Sequence, residues 1–172
     1  NRRLFLVGTA IVLIAPAMVI LAAVVETTSE VLKRKTDEFL ALAVSFEHLA
    51  DVTGNDAARM LGDALDTATG RLLENGKSPA RRLGSIDNRG SHFYIALYWA
   101  QALAEQTENA EVAARFAPLA AALGEHEATI ADELLAVQGE PADIGGYYKP
   151  DEDKASGIMR PSATFNSILA SL

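Results

Sequence analysis

Residues 77–104, "KSPARRLGSIDNRGSHFYIALYWAQALA", contain the feature that decides the fold: a cationic loop that runs straight into an aromatic helix. The apolar residues of "HFYIALYWAQALAEQ" fall at helical spacing, which predicts a helix with Ser91 as its N-terminal cap. The loop before it carries Arg81, Arg82 and Arg89 among glycines. In a chain of net charge −8, this local concentration of arginine raises the question of what the loop binds.

The segments upstream of this helix also show an apolar period of three to four residues. Thr36 predicts the start of one helix, whose apolar face includes Phe39, Leu40, Ala43, Phe46 and Leu49 or Ala50. Asn55 predicts the cap of the next helix. Its apolar face comprises Met60, Leu61, Leu65, Ala68, Leu72 and Leu73. Asn75–Gly76 predicts its end.

Downstream, Asn109 predicts the start of a further helix, and Pro118 inside it predicts a kink or a restart. Residues 139–160 are punctuated by proline and glycine and predict a loop. Ser162 then opens a short last helix. No segment shows a convincing period of two, so the chain from residue 36 onward predicts an all-α fold.

Residues 4–25, "LFLVGTAIVLIAPAMVILAAVV", contain no charged residue and differ from everything that follows. At about 1.5 Å per residue, a helix of this length spans a hydrocarbon layer of about 30 Å. We therefore favour a membrane span, with a cleaved signal peptide and a buried helix of a larger soluble protein as the alternatives. Basic residues on both sides leave the orientation open. This contrast predicts two parts, residues 1–35 and residues 36–172.

Composition excludes several functions. The pI of about 4.8 argues against nucleic-acid binding, because neutralising phosphates requires a basic face. The absence of cysteine excludes disulfides and thiolate zinc sites. The three histidines, His48, His92 and His126, are far apart and predict solvated or core imidazoles rather than a metal site. Because the sequence begins at Asn1, we expect it to be a piece of a longer chain.

The arginine loop is a candidate anion site. Arg81, Arg82 and Arg89 carry planar, permanently charged donors that suit phosphate or carboxylate, and the start of the following helix also favours anions. The alternative is that these arginines pair with Asp87, Glu74 or other acids and only pin the loop. The residues alone leave both interpretations open.

Other candidate groups have a structural interpretation that we favour. The aromatic side chains Phe93, Tyr94, Tyr98 and Trp99 predict core packing. Six carboxylates predict solvated surface, with a Mg²⁺ site as the alternative: Asp132, Glu133, Asp143, Asp151, Glu152 and Asp153. "GGYY" at 145–148 predicts a packed connection and not a phosphate loop, since no GK[ST] sequence follows.

Three long segments carry a resemblance to a known family. "KSPARRLGSIDNRGSHFYIALYWAQALAEQT", "LLAVQGEPADIGGYY" and "MRPSATFNSILASL", together with the upstream "EFLALAVSFEHLA" and "LDTATGRLLENGKSP", resemble the carboxy-terminal end of monomeric-type NADP-dependent isocitrate dehydrogenases. The resemblance runs from about Glu38 to Leu172. It implies that this chain is the helical carboxy-terminal part of a larger, two-domain α/β enzyme, preceded here by a long apolar helix.

The resemblance also implies an activity and one site residue. The complete enzyme oxidises and decarboxylates isocitrate, reduces NADP⁺ and requires Mg²⁺ or Mn²⁺. Arg81 matches the family position that contacts the 2′-phosphate of NADP⁺. The resemblance further implies a cytoplasmic location, and an amino-terminal part of the same enzyme as partner of this segment.

The region before Glu38 departs from the family pattern. The family has a glycine- and serine-containing cofactor loop with a histidine and then an Arg-Trp-Asp turn, whereas this chain reads "PAMVILAAVVETTSEVLKRKTD". The isocitrate ligands, metal-binding aspartates and acid–base pair of the family lie further upstream and are absent from this chain. We therefore predict an enzyme fragment that is inactive alone. The alternative is a membrane-anchored helical interaction module that contacts the membrane through residues 4–25.

Overall fold

The computed structural model describes residues 37–171, and the residues from Glu38 onward form one compact unit. Every regular element in this described part is a helix, which confirms the all-α prediction. The helices are α1 (Asp37–Thr53), α2 (Asp56–Glu74), α3 (Asn88–Glu105), α4 (Ala110–Glu125), α5 (Glu127–Ala136), α6 (Glu152–Met159) and α7 (Ala163–Leu169).

Two predictions about the amino-terminal part lie outside the described residues: the apolar span 4–25 and the cap at Thr36. The division into residues 1–35 and 36–172 therefore stays a prediction. Among the described residues, no helix combines the length and apolar character that crossing a bilayer requires.

Helix α3 lies at the centre of the core and packs against both α2 and α4. Its side chains Phe93, Leu97 and Leu103 are almost completely buried, as are Leu65 and Leu72 of α2. Burying a large apolar side chain contributes about 1.5–3 kcal/mol, so these positions are a main source of stability. Leu65 and Leu72 are among the apolar positions that the helical period selected, and Phe93 is a core residue as predicted.

Helix α1 packs on α2 at a glycine. A Cβ atom at Gly62 would lie 3.2 Å from the carbonyl oxygen of Ala43 and from the Cβ of Phe46, so a larger residue would require α1 to move away by a few tenths of an ångström. Phe39 and Ala43 are buried on the same side of α1. Of the two alternatives Leu49 and Ala50, Ala50 is the buried one, whereas Leu49 is 44% exposed.

Helix α7 is held by a carboxylate from α5. Glu133 accepts hydrogen bonds from the Oγ of Ser162 at 2.5 Å and from the Oγ1 of Thr164 at 2.8 Å. Ser162 is also the N-cap of α7, as predicted, and Phe165 packs edge-on against Phe93 at 5.4 Å between ring centroids. Hydrogen bonds to Glu133 and an aromatic contact with Phe93 thus hold the carboxy-terminal helix against the core.

Three helix predictions need correction. Helix α3 begins at Asn88 with Asp87 as its cap, whereas Ser91 lies inside the first turn and is 2% exposed. Of the two outcomes predicted at Pro118, the restart is wrong, because α4 continues through this residue and the next helix begins only after His126. Residues 139–160 are not all loop, because α6 forms within them; none of its residues is buried, so it leaves no apolar period.

Candidate anion-binding loop

The loop between α2 and α3, residues 75–87, begins with a tightly closed helix end. Gly76 has a positive φ of 63°, its N–H donates to the carbonyl of Leu73 at 3.1 Å, and the Lys77 N–H donates to that of Leu72 at 2.9 Å. Such paired bonds with a left-handed glycine terminate a helix sharply, as the Asn75–Gly76 pair predicted. The loop therefore leaves α2 in a fixed direction.

The Lys77 side chain connects this loop to the aromatic helix. Its Nζ lies 4.0 Å from the ring centroid of Tyr94 and 3.7 Å from Oε1 of Glu127 on α5. Hydrogen bonding to Tyr94 and the charge of Glu127 raise the pKa of Lys77 despite its partial burial. Lys77 therefore remains protonated and anchors the start of the loop.

The middle of the loop is an ordered turn. The N–H of Ala80 donates to the carbonyl of Ile86 at 2.7 Å, and that of Ser85 donates to the carbonyl of Arg82 at 3.2 Å. Gly84 has a φ of 74°, which glycine adopts without strain. Residues 80–86 are thus closed on themselves by backbone hydrogen bonds.

Gln138, just beyond α5, clamps this turn from outside. Its Oε1 accepts the Gly84 N–H and its Nε2 donates to the Ser85 carbonyl, both at 2.9 Å. No local sequence pattern marks this residue, which is more than fifty positions away along the chain.

Arg89 is committed to structural contacts. Its Nε and Nη2 donate to Oδ2 of Asp87 at 2.9 and 2.6 Å, and its Nη1 donates to the carbonyl of Ile158 at 3.1 Å. For this arginine the pairing alternative is confirmed.

Asp87 is held in its charged form by these contacts. Burial alone would raise the pKa of Asp87, but the hydrogen bonds from Arg89 and from the Gly90 N–H outweigh burial and lower it. The same carboxylate caps α3 through the Gly90 N–H at 3.1 Å. The amino-terminal end of α3 is therefore already occupied by an anion of the protein itself.

Arg81 and Arg82 differ from Arg89. Both are exposed, and within residues 37–171 neither guanidinium makes a hydrogen bond or an ion pair. The predicted pairing with Glu74 does not form among these residues, so the guanidinium groups of the loop that can receive an external anion are those of Arg81 and Arg82. The role of Arg81 as a phosphate ligand stays a prediction.

The aromatic residues of α3 are core residues, as predicted. Phe93 and Tyr94 are buried, and Tyr98 and Trp99 pack against the same cluster. Trp99 also donates its Nε1 hydrogen to the carbonyl of Leu61 at 3.2 Å. Helix α3 thus contacts the loop through Tyr94, whose ring packs against Lys77.

The prediction that the six carboxylates lie on the solvated surface is largely confirmed. Asp132, Asp143, Glu152 and Asp153 are exposed, and Asp143 pairs with Lys154 at 2.6 Å. The "DED" segment is not a simple turn, because Asp151 caps α6 through the Lys154 N–H at 3.0 Å. Between residues 37 and 171, no three histidine, aspartate or glutamate side chains converge to hold a metal ion.

Two other groups of residues are on the surface. His48, His92 and His126 are exposed, which confirms the solvated interpretation. The prediction that "GGYY" is a packed connection is wrong, since Tyr147 is 86% exposed and Tyr148 is 97% exposed. Gly145 adopts a left-handed conformation with φ of 81°, and its N–H donates a hydrogen bond to Oδ1 of Asp143 at 2.9 Å.

The fold and the loop together define an all-helical segment that presents two uncommitted arginines on an ordered turn. A family model described as monomeric isocitrate dehydrogenase matches residues 31–170, beginning slightly before the Glu38 at which the sequence resemblance was placed. The chain belongs to the monomeric isocitrate dehydrogenase family.

Curated relatives agree with this assignment. The NADP isocitrate dehydrogenase of Azotobacter vinelandii is 58% identical over 135 residues, covering 78% of this chain and 18% of the relative. NADP isocitrate dehydrogenase 2 of Mycobacterium tuberculosis is 55% identical over 132 residues, again covering 18% of its length. The NADP isocitrate dehydrogenase of Corynebacterium efficiens is 56% identical over 135 residues. This chain therefore spans less than a fifth of the length of the relatives it matches.

Proposed function

We propose that this chain is the carboxy-terminal helical part of an NADP-dependent isocitrate dehydrogenase and contributes contacts to the cofactor. The complete enzyme would oxidise and decarboxylate isocitrate to 2-oxoglutarate and form NADPH. The names of the relatives, which specify NADP and isocitrate, support the activity. Because the chain spans 18% of their length, the catalytic and metal-binding residues would lie in the remaining part, and the chain alone would be inactive.

The exposed guanidinium of Arg81 is the observation that carries the proposed cofactor contact. Arg81 lies within a turn closed by backbone hydrogen bonds, whereas Arg89 in the first turn of α3 is committed to Asp87. A free, forked guanidinium matches the oxygen atoms of a phosphate group and prefers a dianion to a neutral hydroxyl. Arg81 would therefore bind the 2′-phosphate that distinguishes NADP⁺ from NAD⁺.

Binding of 2′,5′-ADP and 5′-ADP tests this role directly. We expect Arg81→Ala to weaken 2′,5′-ADP binding by about 1.5–3 kcal/mol, the scale of a hydrogen bond to a charged group. Binding of 5′-ADP should change little, because it lacks the 2′-phosphate. Arg81→Lys keeps the charge but loses the fork, so its affinity should fall between those of the wild type and Arg81→Ala.

Arg115 on α4 provides the matched control. It is also exposed, and it makes no ion pair within the described residues. Arg115→Ala removes the same charge from the chain without touching the loop. If Arg81→Ala and Arg115→Ala lose equal 2′,5′-ADP affinity, the loss is explained by the change in net charge alone. That result would contradict the proposed contact.

The divalent cation of the complete enzyme would be held elsewhere. The residues described here do not fit such an ion, because no three of their carboxylates or imidazoles converge. When bound, Mg²⁺ or Mn²⁺ would supply Lewis-acid stabilisation of the substrate oxygens. We propose that its ligands come from the part of the enzyme that this chain does not span.

The amino-terminal part of the same enzyme would be the partner of this segment. Helix α1 exposes the apolar residues Leu42, Val44, Leu49 and Val52, with Val52 70% exposed. Several exposed apolar side chains on one helix favour a protein contact. The exposed Tyr147 and Tyr148 would add a second contact area. We place the enzyme in the cytoplasm on the family resemblance.

A further inference from the structure

We infer that Gln138 is a positioning residue that fixes the turn beside Arg81, so that its guanidinium meets a phosphate with little loss of freedom. This inference rests on the proposed cofactor contact and names the group that makes the contact effective. It starts from the two hydrogen bonds of Gln138 to Gly84 and Ser85, both 2.9 Å long.

The geometry of the Gln138 amide explains why it suits this position. Gly84, at φ 74°, directs its N–H out of the turn and not toward a backbone carbonyl of the loop. A primary amide has an acceptor and a donor side by side, so Gln138 can pair with the Gly84 N–H and the Ser85 carbonyl at the same time. At neutral pH an ionised Glu at this position would supply only acceptors.

The clamp joins two parts of the chain that backbone hydrogen bonds do not connect. Gln138 follows α5, and the next residue, Gly139, lies close to the loop. A Cβ atom added at Gly139 would be 3.6 Å from the methyl carbon Cδ1 of Leu83. Inside the loop, the bonds Ala80 to Ile86 and Ser85 to Arg82 fix the shape of the turn. Gln138 fixes where that turn lies on the helical core. The position of the exposed Arg81, one residue after Ala80, is therefore fixed by the same contacts.

An ordered loop binds an anion more tightly than a mobile one, because less conformational entropy is lost on binding. Removing Gln138 leaves the Arg81 side chain and its charge intact but frees the turn. We therefore expect Gln138→Ala to weaken 2′,5′-ADP binding about fivefold, the scale of one net hydrogen bond, with a small effect on 5′-ADP.

The chain contains a matched control in Gln106. Its Oε1 accepts the N–H groups of Glu108 and Asn109 at 2.8 Å, and its Nε2 donates to the Asn109 carbonyl at 2.7 Å. It is thus the same residue type with the same kind of backbone clamp, at the opposite end of α3. Gln106→Ala should cost similar stability and leave 2′,5′-ADP affinity unchanged.

The experiment is an NMR titration of the full 172-residue chain with 2′,5′-ADP and with 5′-ADP, together with amide exchange. Gln138→Ala, Gln106→Ala and Arg81→Ala are compared with the wild type. In Gln138→Ala, the Gly84 amide should exchange faster while the Ala80 amide stays protected. Gln138→Glu keeps the acceptor for Gly84 but loses the donor to Ser85, and it should lose affinity in the same direction.

The outcomes separate the two claims. A selective loss for Gln138→Ala beside an unchanged Gln106→Ala supports the positioning role. If Arg81→Ala weakens 2′,5′-ADP binding but Gln138→Ala behaves like Gln106→Ala, the positioning role is overturned and the cofactor contact stands. If Arg81→Ala changes nothing, or the wild type does not bind 2′,5′-ADP, the proposed cofactor contact is contradicted and the inference falls with it.

Discussion

Asp87 both caps α3 and pairs with Arg89. Two substitutions of this residue can therefore separate the contribution of the helix cap to stability from that of the ion pair. In Asp87→Asn, the amide oxygen can still accept the Gly90 N–H, but the charge that attracts Arg89 is lost. In Asp87→Ala, both contacts are lost. The unfolding free energies of the two variants should therefore differ by the value of the cap.

The size of each loss follows from the geometry. The Arg89 and Asp87 side chains are 16% and 27% exposed, and three hydrogen bonds fix the guanidinium. We therefore place the pair at the upper end of the surface range, about 1 kcal/mol for Asp87→Asn. An N-cap contributes about 1 kcal/mol more, which gives about 2 kcal/mol for Asp87→Ala.

Acid should remove the difference between the wild type and Asp87→Asn. Because the folded pKa of Asp87 is lowered, its contribution is fully present above the ordinary aspartate pKa of about 3.9 and is lost as the pH falls through the folded value. At a pH below both the folded and the unfolded pKa, the wild-type carboxyl is neutral, like the amide of the variant.

Urea unfolding followed by circular dichroism, at neutral pH and along an acid series, measures these differences. Asp153→Asn serves as the control, because Asp153 is exposed and makes no ion pair within residues 37–171. Equal losses for Asp87→Asn and Asp87→Ala would refute the assignment of the cap. A loss in Asp87→Asn that persists in strong acid would refute the charge argument.

Four further predictions concern the core, the carboxy-terminal helix, the activity and the amino-terminal run. Phe93→Ala should lower the unfolding free energy by about 3–5 kcal/mol, measured by urea unfolding, whereas Tyr148→Ala should leave it within about 0.5 kcal/mol. Glu133→Ala should speed exchange of the Thr164 amide, read by NMR, since that amide donates to Glu133 at 3.2 Å; unchanged exchange would argue against the tether. The purified chain with isocitrate, NADP⁺ and Mg²⁺ should form no NADPH above a protein-free blank, followed by absorbance, and clear turnover would contradict the missing catalytic half. If residues 4–25 span a membrane, the chain should require detergent on fractionation, and recovery in the soluble fraction would exclude the span.

Local chemistry predicted most of the helical framework. Asn55 accepts the Ala58 N–H and Asn109 accepts those of Glu111 and Val112, so both caps were found from residue type and spacing. The start of α3 was missed because its first turn, "NRGS", has no large apolar residue, and the apolar period begins only at Phe93. Helix α6 was missed for a related reason: it buries none of its residues, so no periodicity marks it.

The site was harder to predict because the residues that define it are distant in sequence. Pattern alone treated the three arginines of the loop as equivalent, and only the packed structure separates Arg89 from Arg81. The carbonyl that Arg89 contacts belongs to Ile158, and the amide that clamps the loop belongs to Gln138. Neither contact follows from helical period or capping rules, which describe neighbours within a few positions. Family resemblance supplied the choice of Arg81.

The central claim, that Arg81 recognises the 2′-phosphate, is tested most directly by a thermodynamic cycle. The cycle combines two proteins, wild type and Arg81→Ala, with two ligands, 2′,5′-ADP and 5′-ADP, all titrated under one salt condition. We expect a coupling free energy of about 1.5–3 kcal/mol between the guanidinium and the phosphate. A coupling of zero would contradict it and leave Arg81 as an ordinary surface residue.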